Sequence, residues 1–350
     1  MKKIIFILLI LILLASCATN NKTQFSTSFH SVTLDTILKD KISIRAITVD
    51  NNSVWYAADK GRYGYFNLDS KQIFEDKISK DSLQLEFRSI AKTSKYIYVL
   101  NIGNPALLYQ ISKTTKQYKL VYQETNEKVF YDSMQFWNDD EGIAIGDPID
   151  DCFSVIITRD GGNSWQKTPC LQLPKTVDGE AAFAASNTNI IIKGTKTWLV
   201  SGGKKSRVFY SPNKGITWQV FETPIVQGLA MTGIFTADFY NEKSGFIAGG
   251  NYEIPSQNYD NKAFTNDGGK TWQLISQNLG FGYASCIQYV PESNGKQLVS
   301  VGMTGLYYSS DSGLTWTKLL DNTNLFTLRF INSKTAIAAG KNIILKINFK

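Results

Sequence analysis

From about residue 29 onward, apolar residues come in short runs, alternating or continuous, separated by clusters of Gly, Asn, Asp, Ser and Lys. Alternation has the period of a half-buried strand, and a short continuous run is that of a strand covered on both faces. After the amino-terminal segment no stretch shows helical periodicity, and there are only eight prolines in 350 residues. The runs come in pairs across turns, each a short strand, a turn and a Gly-containing apolar strand: MQFWNDDEGIAIGD from Met134, ADFYNEKSGFIAGG from Ala237 and IQYVPESNGKQLVSVG from Ile287. Similar pairs begin at Ala46, Ser89, Ala182 and Leu328, which makes seven units and predicts an all-β chain.

An eight-residue pattern recurs four times: TRDGGNSW at Thr158 to Trp165, SPNKGITW at Ser211 to Trp218, TNDGGKTW at Thr265 to Trp272 and SSDSGLTW at Ser309 to Trp316. The constant features are Ser or Thr, then Asp160, Asn213, Asp267 or Asp311, then Gly, then Ser or Thr, then Trp. This is the chemistry of a stapled hairpin turn. The Asp or Asn oxygen can accept backbone N–H groups inside the turn, Gly can adopt a positive φ, and the indole can pack beneath the loop.

The pattern resembles the Asp-box, or BNR repeat, of sialidases, sortilin-type receptors and, most closely, photosystem II stability/assembly factor-like proteins, all of them β-propellers. Six intervals from Ala46 to Leu328 cover 282 residues, a mean of 47, which suits four-stranded antiparallel blades. The 334 residues from Cys17 onward hold 7.1 such units. The expected architecture is one seven-bladed propeller domain over residues 29–350, with six or eight blades as the neighbouring counts. The last unit has room for only three strands, so the stretch from Phe29 to Ile37 is expected to add its outermost strand and close the ring. The resemblance places Asp160, Trp165, Asn213, Trp218, Asp267, Trp272, Asp311 and Trp316 in structural turns on the rim.

Lys2 and Lys3 precede a twelve-residue apolar run, Ile4 to Ala15, which fits a signal h-region and is shorter than a spanning helix. Leu14-Ala15-Ser16-Cys17 resembles the lipobox of bacterial lipoproteins. This implies a signal peptide over 1–16, lipidation at Cys17, a polar tether to residue 28, and a bacterial envelope location at the periplasmic face or cell surface. Three cysteines then remain, Cys152, Cys170 and Cys286, so one thiol stays unpaired in an oxidising compartment. Cys152 and Cys170 flank Gly161 symmetrically, as Ile157 and Trp165 do. Opposed cross-strand residues lie about 4.5 to 5.5 Å apart, so a disulfide and two buried thiols are both open.

Composition narrows the chemistry. His30 is the single histidine, which removes a Ser-His-Asp triad, a two-His metal site and a histidine relay within the fold. Without Lys2 and Lys3, 35 basic residues face 30 acidic ones, a net +5 in a chain that is 19% charged, and this is no nucleic-acid footprint. Gly268-Gly269-Lys270-Thr271 ends like a P-loop, but Phe264 replaces its first glycine. Gly280-Phe281-Gly282-Tyr283 begins like a dinucleotide fingerprint, but Ser285 replaces its third glycine. No cofactor and no metal is expected, and Asp147 to Asp151 reads as a solvated turn rather than a calcium loop.

In a propeller, functional loops gather at the channel mouth. The residues just before four successive innermost strands are Arg45, Arg88, Asp132 and Glu180. Connections between second and third strands add Asn104, Pro105, Asp147, Asp150, Asp151, Arg207, Tyr252, Glu253 and Tyr259. Two arrangements are open: a ring in which Arg45 and Arg88 neutralise Asp132 and Glu180, or a polar binding cup. The expected function is a non-catalytic binding or assembly module for an envelope protein or a glycan, with monomer favoured. The alternative is a sialidase-like hydrolase in which Arg45, Arg88 and Arg207 clamp a carboxylate, with Glu180 or Asp132 as catalytic candidates. Against it, Phe87-Arg88-Ser89-Ile90 lacks the proline of the sialidase motif, and no tyrosine matches the nucleophile.

Overall fold

The computed structural model describes residues 28–350. The signal segment, Cys17 and nearly all of the tether lie outside the described residues. Within them the chain is all-β, interrupted only by two short 3-10 turns, Asp59–Gly61 and Cys170–Gln172. The strands form a β-propeller of four-stranded antiparallel units. Along the chain the strands fall into seven consecutive stretches, called units below: 44–77, 87–124, 131–167, 180–222, 232–274, 286–320, and 325–349 with 32–39.

These strands hydrogen-bond into six sheets rather than the seven separate ones expected, six being the lower of the counts allowed. The reduction comes from strand Val32–Asp50, which serves two units. Its first part edges the last unit, Val32 opposite Phe349 and Thr36 opposite Leu345, and its second part heads the first, Ile47 opposite Tyr56. The expected closure by the amino-terminal strand is thus present, and it fuses the two terminal units into one sheet.

Burial on both faces explains the continuous apolar runs. In strand Tyr96–Asn101, Ile97 and Val99 pack with Trp55, Ala57 and Tyr63 of the preceding unit. Tyr98 and Leu100, on the other face, pack with Tyr131, Met134 and Ala144 of the following one. Alternate residues point to opposite sheet faces, so each inner strand contributes to two interfaces and no unit has a core of its own.

The four Trp-bearing turns fasten neighbouring units together at the rim. In the first, Thr158 Oγ1 donates to Asp160 Oδ1 (2.8 Å) and accepts from Gly162 N (2.9 Å). Asp160 then accepts from Ser164 N (3.0 Å) and Ser164 Oγ (2.7 Å). The other three copies repeat the pattern around Asn213, Asp267 and Asp311. The turn glycine faces the preceding unit: Tyr98 donates its hydroxyl to Gly161 O (2.5 Å), and Trp198 Nε1 donates to Gly268 O (2.8 Å). Gly162 has φ +73°, and a Cβ there would lie 2.4 Å from the Tyr98 ring. Gly162→Ala is therefore expected to cost about 2–4 kcal/mol, left-handed strain plus overpacking, read as a lower urea midpoint.

Cys152 and Cys170 form a disulfide with Cα atoms 5.7 Å apart, and Cys286 is free and buried. The register differs from the expected one. Ile157 pairs with Gln166, not Trp165, and the ladder runs only from Ile156 to Ile157. Cys170 lies beyond that strand in the 3-10 turn, so the bond ties a loop to the strand entry instead of joining opposed ladder residues.

Candidate functional site

Near its start, the innermost strand of five units breaks register against its neighbour. The breaks fall between Ile44 and Ala46, Phe87 and Ser89, Ile234 and Thr236, and Leu325 and Thr327, and opposite Ile145 and Gly146. A bulge leaves one residue out of the ladder and re-aims its side chain. The residues left out are Arg45, Arg88, Asp132, Phe235 and Phe326, so bulging brings together three residues expected from the sequence and two phenylalanines that were not. Glu180 does not belong to this set. Its unit aligns three residues later, at Phe183, whose ring stacks on Phe235 (3.9 Å between centroids, planes 7° apart).

In the fourth unit the innermost strand is interrupted, running as Glu180–Ala181 and then Ile190–Lys193. The expected pairing of an Ala182 strand with an Ile190 strand is therefore wrong: Ile190–Lys193 continues the first strand, and Lys196–Val200 is the second. The excursion between the two pieces fills the hub and hydrogen-bonds to all six other units. Arg45 donates to Ala185 O (3.4 Å), Asn187 Nδ2 to Ile90 O (2.8 Å), and Met134 N to Asn187 Oδ1 (3.0 Å). Thr188 Oγ1 bonds Thr236 Oγ1 (2.8 Å), Ser186 Oγ donates to Ser285 O, and Arg329 Nη2 donates to Ser186 O and Asn187 O (3.2 Å each). Ser186, Asn187 and Thr188 are buried, so these partners meet needs that water cannot.

The charged residues do not form a ring of arginines neutralising Asp132 and Glu180, one of the two arrangements the sequence left open. Arg88 pairs with Glu86 (2.6 Å), only two residues away. Glu180 is buried beneath Arg207: Arg207 Nε donates to Oε1 (3.0 Å), Nη2 pairs with Oε2, and Ser201 Oγ (2.6 Å) and Val177 N (3.1 Å) complete the carboxylate's partners. Planar bidentate geometry favours Arg in this role. Among the described residues Arg45 pairs with no carboxylate. It lies over the Phe326 ring at 4.3 Å, its Nε is buried without a partner, and burial with Arg88 nearby lowers its pKa.

Asp132 and Asp147 form a carboxyl pair. Asp132 is fully buried, and neither oxygen is in good hydrogen-bonding geometry, although the Ala184 and Asp147 N–H groups lie near enough to favour its charged form slightly. Burial, then the neighbouring Asp147, push its pKa well above the usual carboxylate range, with Arg88 pulling the other way. Burial raises Asp147 to about 7, against a hydrogen bond from Ala182 N (2.8 Å). Folded-state pKa values above the unfolded ones mean that the native state binds more protons between about pH 4 and 7. The pair's contribution is therefore most favourable at low pH and is lost as pH rises through 7. Asp132→Asn is expected to raise the unfolding midpoint at pH 8 and barely move it at pH 5, in thermal melts compared across that range.

Two pockets open at the mouth. One, of about 280 Å³, is lined by Arg45, Tyr252, Tyr283, Asn324, Phe326 and Lys341, with Phe235 behind Tyr283 (4.8 Å) and Tyr252 edge-on to Tyr283 (5.2 Å). The other, of about 590 Å³, is acidic, with Asp147, Asp150, Asp151, Asp178 and Glu180 among its walls. Asp151 is paired there with Lys175 (2.5 Å). Among the described residues no group of three or more His, Cys, Asp or Glu could hold a metal ion. Asn104 stands exposed on its loop and lines neither pocket. Phe183, Phe235, Tyr283, Phe326 and Asn187 were not anticipated. Writing the unit starts beneath one another as IRA, FRS, YDS, AFA, IFT and LFT would have found the three phenylalanines.

No known protein family and no curated protein matches the chain by sequence. Solved structures do match in fold. The structure described as YCF48 bound to D1 peptide is 12% identical with a TM-score of 0.65, covering 91% of this chain and 97% of that one. YCF48 from Cyanidioschyzon merolae is 12% identical with a TM-score of 0.63, covering 90% and 98%. The RRP9 WD40 repeats are 12% identical with a TM-score of 0.67, covering 92% and 100%. At this identity the likeness is one of fold.

Proposed function

We propose that this chain is a non-catalytic binding or assembly module of the bacterial envelope, an Asp-box propeller held by a lipid on Cys17. In this reading it grips a segment of a partner protein, or a glycan, at the channel mouth. The observation that carries it is the pocket of Arg45, Tyr252, Tyr283 and Phe326. Bulged inner strands set Arg45 and Phe326 there, and Tyr252 and Tyr283 reach it from neighbouring connections and pack edge-on, so little ordering cost accompanies binding. A propeller of similar fold is described as bound to a peptide, which supports a protein segment ahead of a glycan.

Affinity capture from solubilised envelopes with the wild-type chain and with Arg45→Glu tests this reading. The partner is expected to be recovered by the first and reduced at least tenfold with the second, while Asn104→Ala leaves recovery unchanged. Equal recovery by the Arg45 variant contradicts it.

The hydrolase alternative keeps one favourable observation, Asp147 held at about 7, in the range of a general acid. It needs three free arginines, and Arg207 is committed to Glu180. A fluorogenic sialoside is expected to remain intact. Hydrolysis abolished by Asp147→Asn would establish the enzyme instead.

A further inference from the structure

We infer that the propeller carries its mouth on the face turned away from the membrane, so that the partner is a water-exposed segment reaching it from the far side and not a component of the lipid surface. This rests on the reading of Cys17 as a lipid attachment point. The direction itself comes from the path of the chain.

Each innermost strand starts at the mouth, so the turn after the first strand and the turn after the third both lie on the opposite face. Their contacts agree: Gly161 N donates to Asp140 O (2.8 Å), Gly268 N to Lys243 O (2.9 Å) and Ser312 N to Lys296 O (2.7 Å). In the last unit the place of the third-to-fourth turn is taken by the two ends of the described chain. Phe349 N donates to Lys334 O (2.8 Å), His30 N to Lys350 O (2.7 Å) and Lys350 N to Ser31 O (2.9 Å). Phe29 packs there on Tyr308 (4.9 Å) and Phe349 (5.1 Å). From this point Val32 to Lys39 runs the height of the unit to the mouth, where Arg45 follows. The polypeptide preceding Phe29 therefore joins the ring on the face opposite the mouth.

Chain length then restricts the alternatives. Eleven residues, 18–28, separate Cys17 from Phe29, a contour of at most about 40 Å. The stretch from Val32 to Lys39, seven of its eight residues paired, spans about 23 Å. To bring the mouth onto the membrane, the connecting segment would have to run back along that whole height, using more than half of its contour. Leu229 (57% exposed), Ile254 (53%) and Met303 (37%) stand on loops of the mouth face. On a mouth-down ring they would be lipid contacts. On a mouth-out ring they are partner contacts, Met303 lining the Tyr252 pocket and Leu229 standing next to Ala230 of the acidic one.

The test uses the full lipidated chain in vesicles of phosphatidylethanolamine and phosphatidylglycerol carrying a rhodamine-labelled lipid, with a donor dye at Leu229→Cys or Ile216→Cys. Both positions are exposed; Ile216 lies in a Trp-bearing turn on the opposite face. Flotation is read first: the wild-type chain should float with the vesicles and Cys17→Ser should not. Energy transfer to the lipid is then expected to be at least twofold greater from position 216 than from 229. Equal or reversed transfer in floating protein overturns the orientation while leaving the anchor intact. Flotation that does not depend on Cys17 overturns the anchor and the inference with it.

Discussion

Replacing Arg207 by alanine is expected to lower the stability of the folded chain by about 3–5 kcal/mol, the range for stripping the partner from a buried charge. Glu180 has a fully buried side chain, and Arg207 is only 12% exposed. After truncation, Ser201 Oγ and Val177 N remain as donors to the carboxylate, which stays in a low-dielectric site without its counter-charge. The double replacement Glu180→Gln, Arg207→Met should recover much of the loss, because removing both charges removes both desolvation costs. Urea unfolding of the single and double variants measures this directly. A single-variant loss below about 1 kcal/mol would match a solvated surface pair instead.

Asn187→Ala is expected to cost about 2–5 kcal/mol through a different mechanism. The side chain satisfies two buried backbone groups from two other units, accepting from Met134 N and donating to Ile90 O. Each buried polar group left unpaired costs about 1–3 kcal/mol. Because the hub segment is hydrogen-bonded to every other unit, the loss should be felt across the ring. The amide of Met134 should exchange with solvent orders of magnitude faster than in the wild-type chain, while amides in the outer strand Tyr118–Glu124 change less. Unchanged protection at Met134 would mean that the hub segment is decoration on a ring that holds itself together.

Features that recur from unit to unit were legible in the sequence. The Trp-bearing turns declared themselves because one backbone conformation needs Gly, an acceptor two residues after a hydroxyl, and a large ring. Arg45, Arg88 and Asp132 were found from their place just before the innermost strands, which is where the bulge falls in five units. Two further hairpin turns between third and fourth strands lack the Trp and the staple, and carry lysine at the positive-φ position. Lys71 and Lys116 have φ of +62° and +65°, and the Lys116 ammonium sits over Trp55, Tyr65 and Phe74 at 5.0, 4.6 and 5.7 Å. At Lys116 a cation–π contact takes the place of the close glycine approach.

The hub segment was hidden for a physical reason. Ser186, Asn187 and Thr188 are small polar residues that read as a turn between two strands, and only the converging units turn them into a buried hydrogen-bonding centre. Misplacing that turn shifted Glu180 into the mouth ring and concealed Phe183. The Cys152–Cys170 pairing was within reach of symmetry, but the ladder is one residue out of the expected register and ends before Cys170.

The central claim is that the mouth binds and the Trp-bearing turns only fasten. Photocrosslinking in living cells tests it most directly, with a benzophenone side chain placed at Tyr252, at Ile216 or at Leu314. The account predicts a discrete adduct from position 252 that disappears when Arg45→Glu is added, and none from 216 or 314. Adducts from the two turn positions with none from 252 would contradict it.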